Sequence, residues 1–282
     1  MAQECGRGNG EDRRSGLHGD GLPDAPGTSI RHSVTDPTIA SNLDGTTATP
    51  GVALMLFHHP FCPHSRFVRI ALGEYGVALR LVDERAWERR PAFLSLNPAG
   101  TTPVLVEEGG PAVPGASIIA EYLDETRGIR LAERRLLPNH IGARVEVRRL
   151  MEWFHGKFFE EVSSLLVTEK VYKRAMPADQ GGGPPDTQAI RAARSNIRYH
   201  LAYIGWLMRT RNWLAGDVMT YADLAAAAHL STVDYLGDVP WNEDEGAKQW
   251  YARIKSRPSF RPILADRLAG TPAAPTYADL DF

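Results

Sequence analysis

The stretch from Met55 to Glu125 limits the fold more than any other part of the chain. A short apolar run, Leu54 to His58, stops at a proline and is followed by the turn Cys62-Pro63. After that turn Phe67, Val68, Ile70, Ala71 and Leu72 supply one apolar helical face, and Leu79 to Val82 reads as a second strand. A polar connection then leads to Asn97-Pro98-Ala99-Gly100-Thr101-Thr102-Pro103-Val104-Leu105-Val106, a Gly/Pro turn running straight into a strand. A helix from Ser117 to Glu125 closes the unit. The order predicts a βαβ unit followed by ββα, in which Cys62 sits where a strand hands over to a helix.

From residue 140 the period changes. Ile141, Val145, Leu150, Phe154, Phe158, Val162, Leu165 and Leu166 keep helical spacing over about seven turns, at 3.6 residues per turn. Gly181-Gly182-Gly183-Pro184-Pro185 must interrupt any helix. A second long helix starts near Thr187, with Ile190, Ile197, Leu201, Ile204 and Met208 on one face. Thr220-Tyr221-Ala222-Asp223 has the form of a capping box, and the alanine-rich run it opens, Leu224 to Leu230, reads as a buried central helix. Two further helices are expected over Glu243 to Lys255 and Arg261 to Leu268. The expected fold class is an α/β domain of the thioredoxin-like kind followed by an all-α helical domain. The expected boundaries are an extension at 1–53, the α/β domain at 54–127, a linker at 128–139, the helical domain at 140–268 and a tail at 269–282.

Residues 1–53 are rich in Gly, Asp, Arg, Ser and Thr and have little to bury, so they are expected to be disordered; Met55 stands where the first strand begins, which leaves an over-extended start as the alternative. Over the whole chain of 282 residues, 43% hydrophobic and 23% charged residues describe a globular protein with a sizeable core. A net charge of −2 gives no bulk basic surface for nucleic acid, and no run reaches the roughly 20 apolar residues that span a bilayer. Two cysteines, Cys5 and Cys62, make no disulfide framework, and no secretory leader is visible, so a reducing cytoplasmic setting is expected.

The segment N-P-x-G-x-x-P-V-L at 97–105, with Cys62-Pro63 before it and Gly-Asp…Thr-Tyr-Ala-Asp-Leu and Arg257-Pro258-Ser259-Phe260 after it, resembles the glutathione transferase superfamily. The resemblance covers Met55 to about Arg267 and implies a glutathione pocket. It places Cys62 at the position of the catalytic cysteine of omega-type members, with His64 or Ser65 able to donate a hydrogen bond and Arg66 favouring the thiolate. It also implies a cis peptide at Thr102-Pro103, so that Thr102, Pro103 and Val104 present backbone groups to a ligand. Members that use glutathione open the last helix of the first domain with an acid–hydroxyl pair. Aligned on Ile119 and Tyr122-Leu123, this chain has Gly115 and Ala116 there, with Ser117 one place on as a partial substitute. Losing two polar partners to a charged ligand group costs about 1.5–3 kcal/mol for each bond, so glutathione binding is expected to be impaired.

The same stretch, the segment Trp87-Glu88-Arg89-Arg90 and the ending Asp279-Leu280-Asp281-Phe282 resemble an alphaproteobacterial branch of transferase-like cell-division proteins that bind the tubulin homologue FtsZ. That resemblance implies a non-catalytic, homodimeric adaptor on FtsZ filaments at the division site, with no cofactor, no metal and no membrane insertion. Trp87, Trp241, Leu280 and Phe282 are the candidate partner contacts, because large aromatics carry much of the energy at interfaces. The alternative is an omega-like thiol transferase or reductase that uses glutathione through Cys62. For the individual residues the structural alternatives stay open. Cys62 can be inherited without use, Trp87 can be tucked under its own loop, and the acids near Trp241 suit a helix N-terminus. The basic run Lys170 to Arg174 reads as a solvated face.

Overall fold

The structure, a computed structural model, describes residues 54–280. The expectation for residues 1–53, Cys5 and Phe282 lie outside that range. The first domain is built on β1 (Leu54–His58), α1 (Pro63–Glu74), β2 (Arg80–Asp83), α2 (Pro91–Leu96), β3 (Val104–Glu107), β4 (Ala112–Pro114) and α3 (Ala116–Arg127). The sheet order is β2-β1-β3-β4. β1 runs parallel to β2 and antiparallel to β3, and β3 runs antiparallel to β4. This is the βαβ-ββα order read from the sequence. Alternation along the strands splits the sheet into two faces: Leu54, Leu56 and Leu105 join the main core, while Phe57, Val82, Val104 and Phe93 form a smaller cluster on the other side.

The second domain begins with a long helix, α4. It starts as Ile141–Glu152, turns π-helical over Trp153–Ser163, is α-helical at Ser164–Val167, π-helical again at Thr168–Tyr172, and ends at Lys173–Ala175. It is followed by α5 (Thr187–Met208), α6 (Tyr221–Tyr235), α7 (Glu245–Lys255) and the short α8 (Arg261–Leu264). Every residue of α6 is buried, including the polar Asp223, His229, Ser231, Thr232 and Asp234, as the central position of the helix requires. α1 packs along α6, so one core runs through both domains.

The capping box at α6 is present. Thr220 donates its backbone N–H to Asp223 Oδ2 at 2.9 Å, and the other carboxylate oxygen accepts from Leu214 N at 2.8 Å and Trp250 Nε1 at 2.9 Å. The cap therefore also ties the loop before α6 to α7.

Several sequence expectations change here. The linker region is ordered as 3₁₀ turns over Gly128–Arg134, with Leu136 and Leu137 buried and Arg135 paired to the buried Asp124 at 2.7 Å. Ile141 and Val145, read as core positions, are 78% and 60% exposed, because the buried face of α4 runs through Val147, Leu150 and Phe154 and leaves these two on its outer side. The last helix stops at Leu264 rather than Leu268. Lys170 pairs with Asp238, Lys173 with Glu169, and Arg174 donates to Thr271, so the basic run is a set of ties rather than a free solvated face.

The tail is a strap. Tyr277 is fully buried, and its hydroxyl donates to Ile263 O at 2.8 Å. Arg66, buried on α1, donates to Pro60 O at 2.7 Å, Ser231 Oγ at 3.0 Å and the Tyr277 hydroxyl at 3.2 Å. One guanidinium thus joins the first domain, α6 and the tail.

Candidate functional site

A cavity of about 490 Å³ opens where the start of α1, the Trp87 turn, the start of α3 and the π-helical part of α4 meet. Cys62 is the N-cap of α1, with Pro63 in the first helical position, so a missing proline N–H costs the helix nothing. The thiol is 7% exposed and faces the cavity, with Sγ 3.7 Å from Thr102 O. Burial pushes this thiol up, but the hydrogen bond and charge of His64, with help from Ser65 and Thr102, bring it down to about 7. Arg66 plays no part in this: its guanidinium points away into the Pro60–Ser231–Tyr277 node. The activating neighbour is His64.

The cis peptide at Thr102-Pro103 is present. Thr102 lines the cavity, but Pro103 and Val104 do not: Pro103 O accepts from Gly115 N at 2.9 Å, and Val104 turns its side chain to the far face of the sheet. Gly115 caps α3 with φ at 88°, and no side chain bonds the cap. That backbone conformation favours glycine, so a carboxylate at this position would carry strain. Ala116 is buried against the cavity and Ser117 is exposed at its edge. Among the described lining residues there is no lysine or arginine, and the one carboxylate, Glu84, is paired with Arg90. The walls are otherwise mostly apolar, with Ile118, Phe159, Val167 and Tyr172 among them. A tripeptide with two carboxylates finds neither the polar pair nor a lysine or arginine here.

Trp87 is half-buried at the rim, its ring 5.6 Å from His59 and 5.3 Å from Tyr172. It belongs to the cavity wall. Trp241 is not a surface contact: it is 8% exposed, its ring stacks on Tyr251 at 4.7 Å, and Nε1 donates to Asp234 Oδ1 at 2.8 Å. An indole whose polar edge is already satisfied inside the fold has no anchor to offer a partner. Leu280 is exposed at the end of the described chain.

Sequence reading named His64 but missed His155 and His229, which the fold brings beside it at the cavity. His64 comes from α1, His155 from the first π-helical stretch and His229 from the middle of α6. His64 Nε2 donates to His155 O at 3.1 Å, His155 Nδ1 lies 3.1 Å from His229 Nε2, and His229 Nδ1 lies 2.8 Å from Ser163 Oγ. Burial and the nearby His64 hold both His155 and His229 well below the usual imidazole range. No short motif joins positions 64, 155 and 229, so only the fold reveals them together.

A sheet with a cis proline, a cysteine at the first helix N-terminus and an appended helical domain define the class of thioredoxin-like transferase folds. The glutathione S-transferase N-terminal domain model matches residues 61–126. The chain is 47% identical over 230 residues to FtsZ-localized protein A of Caulobacter vibrioides, covering 80% of this chain and 97% of that protein. It is 53% identical to the crystal structure of a glutathione S-transferase from Sinorhizobium meliloti, with a TM-score of 0.80 over 81% of this chain and 99% of that one. The structure of FzlA from C. crescentus is 46% identical, with a TM-score of 0.76 over 82% of this chain and all of that one (100%). The chain belongs to the glutathione S-transferase family.

Proposed function

We propose that this chain is a transferase-fold adaptor that associates with FtsZ in cell division, and that it does not conjugate glutathione. The observation that carries the reading is its 47% identity across 97% of a relative named for its localisation to FtsZ. The cavity supports it from the other side: Gly115 and Ala116 replace the acid–hydroxyl pair, and neither lysine nor arginine lines the walls among the described residues.

In this reading the protein works in the cytoplasm at the division site. As a homodimer it joins copies through the exposed Ile118, Ile141 and Val145, on the face where Arg148 of α4 bridges Glu121 of α3 at 2.8 Å. Leu280 and Phe282 at the chain end, with Trp87 at the cavity rim, are the contacts offered to the filament. Electron microscopy of polymerised FtsZ tests this directly. Filaments mixed with the protein should be bundled or curved, and removal of Leu280 to Phe282 should weaken the effect; filaments indistinguishable from FtsZ alone would contradict the proposal.

A second reading rests on one specific observation. A cavity-facing thiol brought down to about 7 is suited to disulfide exchange or thiol addition. It predicts saturable binding of glutathione at millimolar concentration by calorimetry, and turnover that disappears in Cys62→Ala. The adaptor reading predicts neither.

A further inference from the structure

The His64, His155 and His229 rings form a group with no role in the function proposed above. One nitrogen from each lies within 4.8 Å of those of the other two, and the ring centroids are 5.0–5.2 Å apart. Two of the rings are already oriented. Nε2–H of His64 is donated to a backbone carbonyl, and His229 is held at both nitrogens, Nδ1 lying 2.8 Å from Ser163 Oγ and Nε2 3.1 Å from Nδ1 of His155, the contact that an ion would replace. Metal-ligating histidines are commonly held in this way, one nitrogen fixed by a hydrogen bond and the other left for the ion. The third ring supplies an independent pointer. Nε2 of His155 is buried with no hydrogen-bond partner among the described residues, although the ring is only 9% exposed. Leaving such an atom unmet costs about 1–3 kcal/mol.

We propose that these three imidazoles bind one divalent transition-metal ion of the zinc type. Three neutral nitrogen donors in apolar surroundings suit Zn²⁺, Co²⁺, Ni²⁺ or Cu²⁺ rather than Mg²⁺ or Ca²⁺, which take oxygen ligands. Nitrogens on a shared tetrahedral ion, with metal–nitrogen bonds of roughly 2.0–2.1 Å, sit about 3.4 Å apart, so the rings close on the ion by small side-chain rotations. His64 and His155 also line the cavity, which gives the ion an entry path and an open fourth position. Because the ligands come from α1, α4 and α6, the ion ties the thioredoxin-like domain to the helical one. It makes the cavity a metal-bearing pocket rather than an emptied glutathione site.

The test uses the full chain, freed of metal with a chelator and titrated with Co²⁺ alone. One equivalent should produce the intense visible bands of a near-tetrahedral ion, and Zn²⁺ should displace it. His64→Ala, at the half-buried position, should weaken binding at least tenfold, and His155→Ala should do the same. His59→Gln, in the same cavity but outside the cluster, and Cys62→Ser should keep the bands. If His155→Ala unfolds, His64→Ala decides. Absence of tetrahedral bands would overturn the proposal. So would bands that survive loss of His64, or bands that depend on Cys62.

Discussion

At Ala116 the cavity lacks the hydroxyl that, by the family resemblance, would meet a ligand's α-carboxylate. The helix N-terminus still offers its amides, but bare amides leave the anion short of a partner. Ala116→Ser should therefore raise glutathione affinity by about tenfold or more, the equivalent of one hydrogen bond to a charged group at about 1.5–3 kcal/mol. Calorimetry on the two proteins checks it; equal affinities would mean that the defect lies elsewhere in the pocket. Gly115→Glu should not help in the same way, since its backbone lies at φ 88°. A second prediction concerns Cys62. In metal-free protein its ionised form dominates above about pH 7, so alkylation by iodoacetamide should rise through a midpoint near pH 7 rather than near the ordinary thiol value. His64→Ala removes the hydrogen bond and charge that hold the thiol down, and the midpoint should move to higher pH. The place of Cys62 at a helix N-terminus was legible in the sequence. The identity of its activator was not, because the sequence puts both His64 and Arg66 in the first turns after Cys62, and only packing sends the guanidinium away to Ser231 and Tyr277.

Among the elements, α6 shows what local sequence can and cannot convey. Its cap and its burial are written in Thr220, Asp223 and the alanine run, and both are present in the structure. What the pattern does not contain is the reach of Asp223, whose carboxylate also accepts from Leu214 and Trp250. Thr220→Ala should cost about 1 kcal/mol, as loss of a helix cap does. Asp223→Ala leaves four buried donors, Leu214 N, Thr220 N, the Thr220 hydroxyl and Trp250 Nε1, without this acceptor and should cost about 3 kcal/mol or more, each unmet group contributing roughly 1–3. Urea denaturation of the two variants checks the order; equal losses would mean that the carboxylate acts only as a cap. Helix α4 shows the opposite failure. Seven turns of apolar spacing predicted one buried face, yet Ile141 and Val145 are exposed, and the π-helical stretches over Trp153–Ser163 and Thr168–Tyr172 carry no sequence signal in hydrophobic period. The first stretch positions His155 and Phe159 at the cavity, in keeping with the tendency of π-helical turns to occur at functional sites.

For the whole molecule, the two exposed residues at the start of α4 become informative instead of anomalous. Exposed apolar side chains such as Ile118, Ile141 and Val145, on helices that Arg148 and Glu121 tie together, are of the kind a subunit contact buries, and the proposed homodimer would use them. Ile141→Glu combined with Val145→Glu should convert a dimer to a monomer in sedimentation velocity while leaving the helical content unchanged; an unaltered sedimentation coefficient would rule that face out. The tail belongs to this scale too. Its last four residues include the candidate partner contacts Leu280 and Phe282, and Tyr277, just before them, is locked into the core by Arg66 and Ile263, which leaves Leu280 exposed beyond a fixed point. The central claim is that the transferase scaffold serves attachment to FtsZ without glutathione chemistry. Co-sedimentation with polymerised FtsZ, without glutathione, measures this most directly. The wild-type chain and Cys62→Ala should pellet with the polymer equally. Failure of the wild-type chain to pellet, or pelleting that needs an intact Cys62 or added glutathione, would contradict it.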